Sequence, residues 1–164
     1  MLTNPTSAYN VLSRHGFADV MQNVLNGEHS LHATVFFDAG DTLASFAAGK
    51  IVETPTYLTV QVGHQKHILL DPEFLQYINH SCDPNVFFDT TEMKLVALKN
   101  IQPGDEIVFF YPSAEWDMAQ PFACYCGSGN CIHQISGAAH LSEDVIRQYR
   151  FTDFIVEQLS KTKQ

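Results

Sequence analysis

Positive charge is scarce in this sequence. Of its 164 residues only 9 are Lys or Arg, against 18 Asp or Glu, so the formal net charge is −9 at pH 7. A general DNA or RNA binder needs a basic face, and the composition therefore argues against direct nucleic-acid binding. It suits a basic partner such as a lysine-rich peptide. Many acidic proteins have no such partner, so both interpretations stay open.

The chain also has no long apolar run and no obvious targeting segment. No stretch approaches the roughly 20 apolar residues of a membrane span, so we expect no membrane association. The start, MLTNPTSAYNVLSRHG, lacks the basic-then-apolar order of a signal peptide. We therefore expect a cytoplasmic protein, with the nucleus as the alternative compartment.

Short apolar segments separated by turn residues predict a mainly β fold. The segments run over residues 31–37, 56–63, 67–70, 94–100 and 105–111. The first thirty residues are ambiguous, because their weak helical spacing is interrupted by glycines. The C-terminal tail is predicted to be helical, with Ser142 and Thr152 as N-caps.

Cysteine is rare but clustered. Cys124, Cys126 and Cys131 lie within eight residues, and Cys82 lies about forty residues upstream. In an intracellular protein such a cluster indicates a metal site before a disulfide. Free or oxidised thiols are the alternative.

Three motifs follow one another in a fixed order. Residues 79–85 read NHSCDPN, residues 104–106 read GDE and lead to Tyr111, and residues 124–131 have the spacing CxCx4C. This order resembles the SET-domain protein lysine methyltransferases that carry a post-SET segment. The similarity is strong over residues 75–132 and weaker over 28–50.

The resemblance implies a mainly β fold of the β-clip or SET type. Short twisted sheets would surround a knot-like crossing, with a zinc-bound post-SET loop and C-terminal helices. The implied divisions are an N-terminal segment without an assigned role, a SET domain, a post-SET zinc segment and a helical tail. They cover residues 1–27, 28–121, 122–140 and 141–164, respectively.

The implied activity is methyl transfer from S-adenosylmethionine to the side-chain amine of a lysine in a protein or peptide. By position, Asn79, His80 and Ser30 would contact the cofactor. Tyr111 would contact the cofactor and orient the amine, since a phenol with a pKa near 10 is a poor base at neutral pH. Alternatively, Asn79 and His80 only pin the crossing, and Tyr111 is a core aromatic residue.

Two phenylalanines are assigned to the substrate channel. Phe109 lies two residues before Tyr111, on the same face of a strand. In the family, phenylalanine at this place resembles enzymes that add more than one methyl group. Phe46 stands where the family has a tyrosine. Both could instead be ordinary core residues.

The resemblance also completes the metal site. Three thiolates of the post-SET turn leave one tetrahedral corner open, and the family fills it with the cysteine that Cys82 matches. The result would be one structural zinc ion held by four thiolates.

The sequence departs from the family near the cofactor. Glu28 and Ser30 stand at two positions where the family has glycine, and Gln76 replaces an arginine. These changes keep two alternatives open. One is a SET-like zinc-binding protein without methyltransferase activity that binds a basic partner, and the other is a small-molecule enzyme that reuses the pocket.

Overall fold

The computed structural model describes residues 8–162, and this part of the chain is built mainly from short strands. The strands are β1 (Tyr9–Arg14), β2 (Ala18–Asn23), β3 (His29–Ala33), β4 (Thr42–Ser45), β5 (Ala47–Val52), β6 (Thr59–Gly63), β7 (Lys66–Asp71), β8 (Asn79–His80), β9 (Val86–Asp89), β10 (Lys94–Ala97), β11 (Val108–Phe109), β12 (Phe122–Ala123) and β13 (Gln134–Ile135). The helices are α1 (Glu143–Ile146) and α2 (Asp153–Thr162), with 3₁₀ turns at Glu73–Tyr77, Tyr111–Ser113 and Ala138–His140. No helix among these residues is long and apolar enough to cross a membrane.

The strands form several small sheets, as the mainly β prediction requires. Three antiparallel sheets have the orders β1-β2-β3, β4-β10-β9 and β5-β7-β6. Two further pairs are β12 with β13, which is antiparallel, and β8 with β11, which is parallel. The parallel pair joins distant parts of the chain and lies at the centre of the site described below.

The N-terminal part is a β-hairpin and not a helix. Gly16, with φ +81°, lies in the turn between β1 and β2, and Gly27, with φ +75°, lies between β2 and β3. Positive φ suits glycine, so the residues that interrupt the helical spacing are those that reverse the chain. Strand β2 of the hairpin pairs with β3. The predicted domain boundary at residue 28 therefore falls between two strands of one sheet. Residues 1–7 of the predicted N-terminal segment lie outside the described residues.

The predicted strand over 105–111 is much shorter in the structure. Glu106 bridges His32, whereas Val108 pairs with Asn79, so the partner changes within three residues and no long ladder forms. The turn that precedes it is confirmed, because Asp105 N donates to Gln102 O at 3.0 Å. This change of partner carries the chain into the crossing.

The C-terminal tail packs against a second, smaller core. Both predicted helices are present: Ser142 Oγ accepts from Val145 N at 3.3 Å, and Thr152 Oγ1 accepts from Ile155 N at 3.4 Å. The small core contains Cys82, Phe110, Cys124 and Ile135, with tail residues packed around them. Residues 163 and 164 of the predicted tail lie outside the described residues. The division of the chain into domains stays a prediction.

Candidate active site and metal centre

The site is built where β8 and β11 lie side by side. Val108 pairs with Asn79, and Phe109 pairs with His80. Asn85 fastens the crossing with its side chain: Nδ2 donates to Glu106 O at 2.8 Å, and Oδ1 accepts from Val108 N at 2.9 Å. The two most informative motifs of the sequence are thereby held against each other.

The imidazole of His80 joins the two halves of the site. Its Nδ1 accepts a hydrogen bond from Tyr111 N at 3.1 Å, so the ring proton lies on Nε2, which is 3.3 Å from Cys82 Sγ. Burial lowers the pKa of His80 to about 4, so the ring is neutral at pH 7. One side chain therefore links the end of β11 to the cysteine cluster.

A cleft of about 760 Å³ opens beside the crossing. Four of the predicted site residues line it: Asn79, His80, Phe109 and Tyr111. Its other walls come from residues 55–60, 75–78 and 118–122, together with Glu28, His29, Leu70, Phe88 and Glu115. The volume lies within the range of about 300–1,000 Å³ that is typical of small-molecule and cofactor pockets.

Tyr111 lies at the aromatic centre of this cleft. Its ring centroid is 4.7 Å from that of Phe109 and 5.8 Å from that of Phe122, and its hydroxyl lies 3.5 Å from Ile78 O. Burial, helped by the negative charges of Glu106 and Glu115, raises the pKa of Tyr111 to about 12. The hydroxyl is therefore a hydrogen-bonding phenol at neutral pH and not a base.

Two predicted site residues do not reach the cleft. Ser30 is buried in β3, and its hydroxyl is 2.9 Å from His32 Nε2. Phe46 is buried against Phe88, with ring centroids 5.5 Å apart. Neither residue lines the cleft, and their roles stay predictions.

The start of β3 nevertheless contributes to the cleft. Asn79 Nδ2 donates to His29 O at 2.7 Å, and the His29 ring stacks on Tyr77 with centroids 5.1 Å apart. Glu28 and His29 line the cleft immediately beside Asn79. The neighbours of Ser30, rather than Ser30 itself, therefore face the space expected to hold the cofactor.

Sequence reasoning missed Glu115. This residue lines the cleft, and its Oε1 accepts from Gln61 N at 3.2 Å. Burial raises the pKa of Glu115 to about 8, although the bond from Gln61 opposes this. The sequence feature that could have indicated it is an isolated acidic residue four positions beyond Tyr111. In the structure it comes directly after the buried residues 112–114.

The four cysteines meet in one cluster. The Sγ atoms of Cys82, Cys124, Cys126 and Cys131 all lie within 4.8 Å of one another. A tetrahedral zinc ion with Zn–S bonds of about 2.3 Å separates its sulfurs by about 3.8 Å, so the cluster has the right size. The donor set therefore fits a four-thiolate zinc site, and the sequence assignment of Cys82 to the post-SET cysteines agrees with this geometry.

Ionising all four thiols of the cluster together needs a bound cation. Burial raises the pKa of Cys82 and that of Cys124, the latter to about 11. Burial also opposes ionisation of Cys126, but hydrogen bonds to Ser128 outweigh it and lower its pKa to about 6. Four adjacent thiolates need a positive ion to offset their repulsion, and zinc supplies that charge.

The C-terminal tail supports the cluster from outside. Tyr149 Oη donates to Cys82 O at 2.6 Å, and Asn130 Nδ2 donates to the same carbonyl at 2.9 Å. The Tyr149 ring stacks on Phe110 with centroids 3.7 Å apart. The tail is therefore part of the structure that holds the metal centre against the crossing.

Fold and site together define a small β protein with a cofactor-sized cleft beside a four-cysteine centre. A family model described as "SET domain" matches residues 28–112. The chain belongs to the SET domain family.

Named relatives agree with this assignment. The chain is 36% identical over 133 residues to "Methyltransferase flvH" of Aspergillus flavus, covering 80% of this chain and 74% of that protein. It is 29% identical over 147 residues to an H3 lysine-36 specific histone-lysine N-methyltransferase of Yarrowia lipolytica, spanning only 19% of it. The crystal structure of KRYPTONITE with mCHG DNA and SAH has a TM-score of 0.57 and 23% identity, covering 75% of this chain and 30% of that one. This last likeness concerns the fold.

Proposed function

We propose that the protein transfers a methyl group from S-adenosylmethionine to the side-chain amine of a lysine in a protein substrate. The observation that carries the proposal is that the Asn79–His80 pair and the Tyr111 hydroxyl line one cleft at the β8–β11 crossing. Membership of the SET domain family supports it. The departures at Glu28 and Ser30 do not favour the non-enzymatic alternative, because the cleft beside Asn79 is retained.

The charge of the cleft suits a cationic cofactor. Glu28 lines it, together with Glu115, whose raised pKa keeps it largely protonated at pH 7, and no Lys or Arg does so within residues 8–162. S-adenosylmethionine carries a sulfonium and an ammonium group, and its methyl group on sulfur is the electrophile that the reaction needs. Asn79 and His80 would hold the cofactor, with Glu28 beside them to pair with its ammonium.

The aromatic residues would prepare the amine. The Tyr111 phenol would accept or donate a hydrogen bond at the nitrogen and so direct its lone pair towards the methyl group. Phe109 gives the channel an apolar wall without a hydroxyl to hold a crowding water molecule. This arrangement supports the prediction that more than one methyl group is added.

The zinc centre would shape the same channel. Phe122 precedes Cys124 by two residues, and its ring lies 5.7 Å from that of His80. Metal binding by the cysteines therefore fixes a wall of the cleft as well as the loop, and the closed wall excludes water from the amine.

The partner and compartment are also proposals. The histone-lysine methyltransferases to which the chain is similar act, by name, on H3 lysine-36, and the chain spans 12% of the one from Chaetomium globosum. We propose a lysine-bearing protein substrate and no direct contact with nucleic acid, since the net charge is −9. The cytoplasm is the proposed compartment, with the nucleus as its alternative.

The test is a titration followed by a transfer assay. Zinc-loaded protein is titrated with S-adenosylmethionine by calorimetry, and then incubated with methyl-labelled cofactor and lysine peptides. Tyr111→Phe should bind the cofactor but lose at least about ten-fold in transfer, in line with the loss of one positioned group. Tyr125→Phe is the matched control because its side chain is 89% exposed. Absence of cofactor binding by the zinc-loaded protein would refute the proposal.

A further inference from the structure

Glu115 lines the cleft and is held in place by hydrogen bonds to its backbone and to its side chain. It follows the 3₁₀ turn Tyr111–Ser113, and its backbone N donates to Tyr111 O at 3.1 Å. The carboxylate is thus one turn of chain away from the phenol. Its charge is close enough to contribute to the raised pKa of Tyr111.

Gln61 makes one bond to this carboxylate and a second to the backbone of the next residue. Gln61 N donates to Glu115 Oε1 at 3.2 Å, and Gln61 Oε1 accepts from Trp116 N at 2.9 Å. Gln61 is itself buried in β6, directly after the lining residues 55–60. On the other side, Ala138 N donates to Glu115 O at 2.8 Å. Both neighbouring segments therefore fix the position of Glu115.

The second oxygen of the carboxylate, Oε2, is free to bind a ligand. Within the part of the chain that the structure describes, Oε1 is bonded to Gln61 whereas Oε2 has no hydrogen-bond partner. Oε2 is not fully buried, and Glu115 lines the cleft. An unbonded carboxylate oxygen on a residue that lines a cleft without Lys or Arg can receive a cation.

We propose that Glu115 binds the ammonium group of the substrate lysine through Oε2 and accepts the proton that this group must lose. The proposal rests on the proposed function, since it assigns the amine-binding group of that reaction. An N–H bond of the ammonium breaks, an O–H bond forms on Glu115, and the nitrogen keeps the electron pair. That pair forms the new N–C bond as the S–C bond of the cofactor breaks, with the S–C electrons staying on sulfur. The proton then passes from Glu115 to solvent.

The raised proton affinity of the carboxylate supports this assignment. An ordinary glutamate, with a pKa of about 4.3, is a weak acceptor for a lysine ammonium whose pKa is about 10.4. Burial raises the pKa of Glu115 to about 8, which narrows that difference. The other titratable groups lining the cleft are Glu28, His29, Tyr57, Tyr77, His80 and Tyr111. His80 is neutral, and Tyr111 is protonated across this pH range.

The experiment compares Glu115→Gln, Glu115→Asp and the control Glu53→Gln. Glutamine keeps an oxygen for the bond from Gln61 N, so the fold is preserved while the proton acceptor is removed. Glu53 is exposed and does not line the cleft, and its substitution changes the net charge equally. The probe is a peptide library with a central lysine and random flanks, used with tritiated S-adenosylmethionine from pH 6 to pH 9.5.

We expect Glu115→Gln to lower kcat/KM for the peptides at least ten-fold while the affinity for S-adenosylhomocysteine stays unchanged. The wild-type protein should show an acid limb near pH 8 that the glutamine variant lacks. Glu115→Asp should retain part of the rate, and Glu53→Gln all of it. A glutamine variant with the wild-type rate and pH profile would overturn the inference and leave the proposed function standing. A wild-type protein that binds no S-adenosylmethionine would overturn both.

Discussion

The Nδ1 atom of His80 accepts a hydrogen bond from the backbone N–H of Tyr111 at 3.1 Å, while the Nε2 atom of the same ring lies 3.3 Å from Cys82 Sγ. A single imidazole therefore lies between the backbone of Tyr111 and a cysteine of the metal centre. Hydrogen bonds to metal-bound thiolates orient ligands and tune the centre. We therefore expect the position of Tyr111 and the state of the cluster to be coupled through this ring.

Substitution of His80 tests the coupling. His80→Leu leaves Tyr111 N–H without its acceptor, and an unsatisfied buried donor costs about 1–3 kcal/mol. His80→Asn can place Oδ1 near the position of Nδ1, so it should restore part of the loss. Urea unfolding of the zinc-loaded variants measures both. Equal stabilities of the leucine and asparagine variants would show that the Tyr111 bond contributes nothing.

Removal of one thiolate tests the metal centre. The wild-type protein should contain about one zinc per chain, and Cys82→Ser should lower that content and destabilise residues 122–162, because structural zinc binding contributes folding free energy. Metal analysis and hydrogen exchange measure the two effects. Tyr125→Ala is the control, since that side chain lies between two of the cysteines and is 89% exposed. Full zinc in Cys82→Ser would show that the crossing and the cysteine loop are not joined by metal.

Much of this centre could be predicted from the sequence because its residues lie in short motifs. NHSCDPN and CxCx4C each fix their spacing locally, so the sequence alone predicts that the four cysteines meet and that Asn79 and His80 lie at the crossing, while the roles of those two residues stay predictions. Ser30 and Phe46 were assigned by alignment across a weaker region; both are buried, Ser30 beside His32 and Phe46 against Phe88, and neither lines the cleft. Which side chains of a strand face the cleft cannot be predicted reliably where the alignment is uncertain, because a shift of one residue exchanges the two faces of the strand.

The remaining features depend on contacts between distant segments. Glu115 accepts a hydrogen bond from Gln61, which lies 54 residues away in the chain, and no local sequence pattern predicts that contact. The N-terminal hairpin likewise becomes a strand pair because β3 offers it an edge. Its apolar residues alone fit a weak helix as well as a strand.

The tail residue Tyr149 gives a further prediction. Tyr149→Phe removes the hydrogen bond to Cys82 O but keeps the stack on Phe110, and Asn130 still satisfies the carbonyl. We therefore expect a loss of only about 0.5–1.5 kcal/mol, with faster release of zinc to a chelator. Tyr57→Phe, at a tyrosine that is 74% exposed, is the control for both readouts. Unchanged zinc release would mean that the tail does not support the cluster.

The raised pKa of Glu115 predicts a stability that falls as pH rises. The unfolded carboxyl loses its proton near pH 4.3, whereas the folded one keeps it to about pH 8. Between these values the folded state binds more protons than the unfolded state, so raising the pH favours unfolding. Glu115→Gln should therefore gain stability relative to the wild-type protein from pH 5 to pH 8.5. A stability difference that stays constant over this range, measured by urea unfolding, would contradict the burial of this group.

Gly137 should not tolerate a side chain, because its backbone packs closely against the segment that carries Glu115. Its φ is +109°, and a Cβ there would lie 2.5 Å from Trp116 O, a backbone atom that cannot rotate away. Ala138 N and Ala139 N bond the carbonyls of Glu115 and Trp116, so the displaced backbone would disturb both bonds.

Gly137→Ala should therefore cost about 2–4 kcal/mol, in the range of severe backbone and steric effects. Gly63→Ala is the matched control, since its Cβ would meet only the Lys66 side chain at an ordinary 3.5 Å. Thermal unfolding compares the two variants. Because Glu115 is positioned through the same bonds, Gly137→Ala should also weaken peptide methylation more than binding of S-adenosylhomocysteine. A Gly137→Ala protein as stable as Gly63→Ala would show that this close approach is absent in solution.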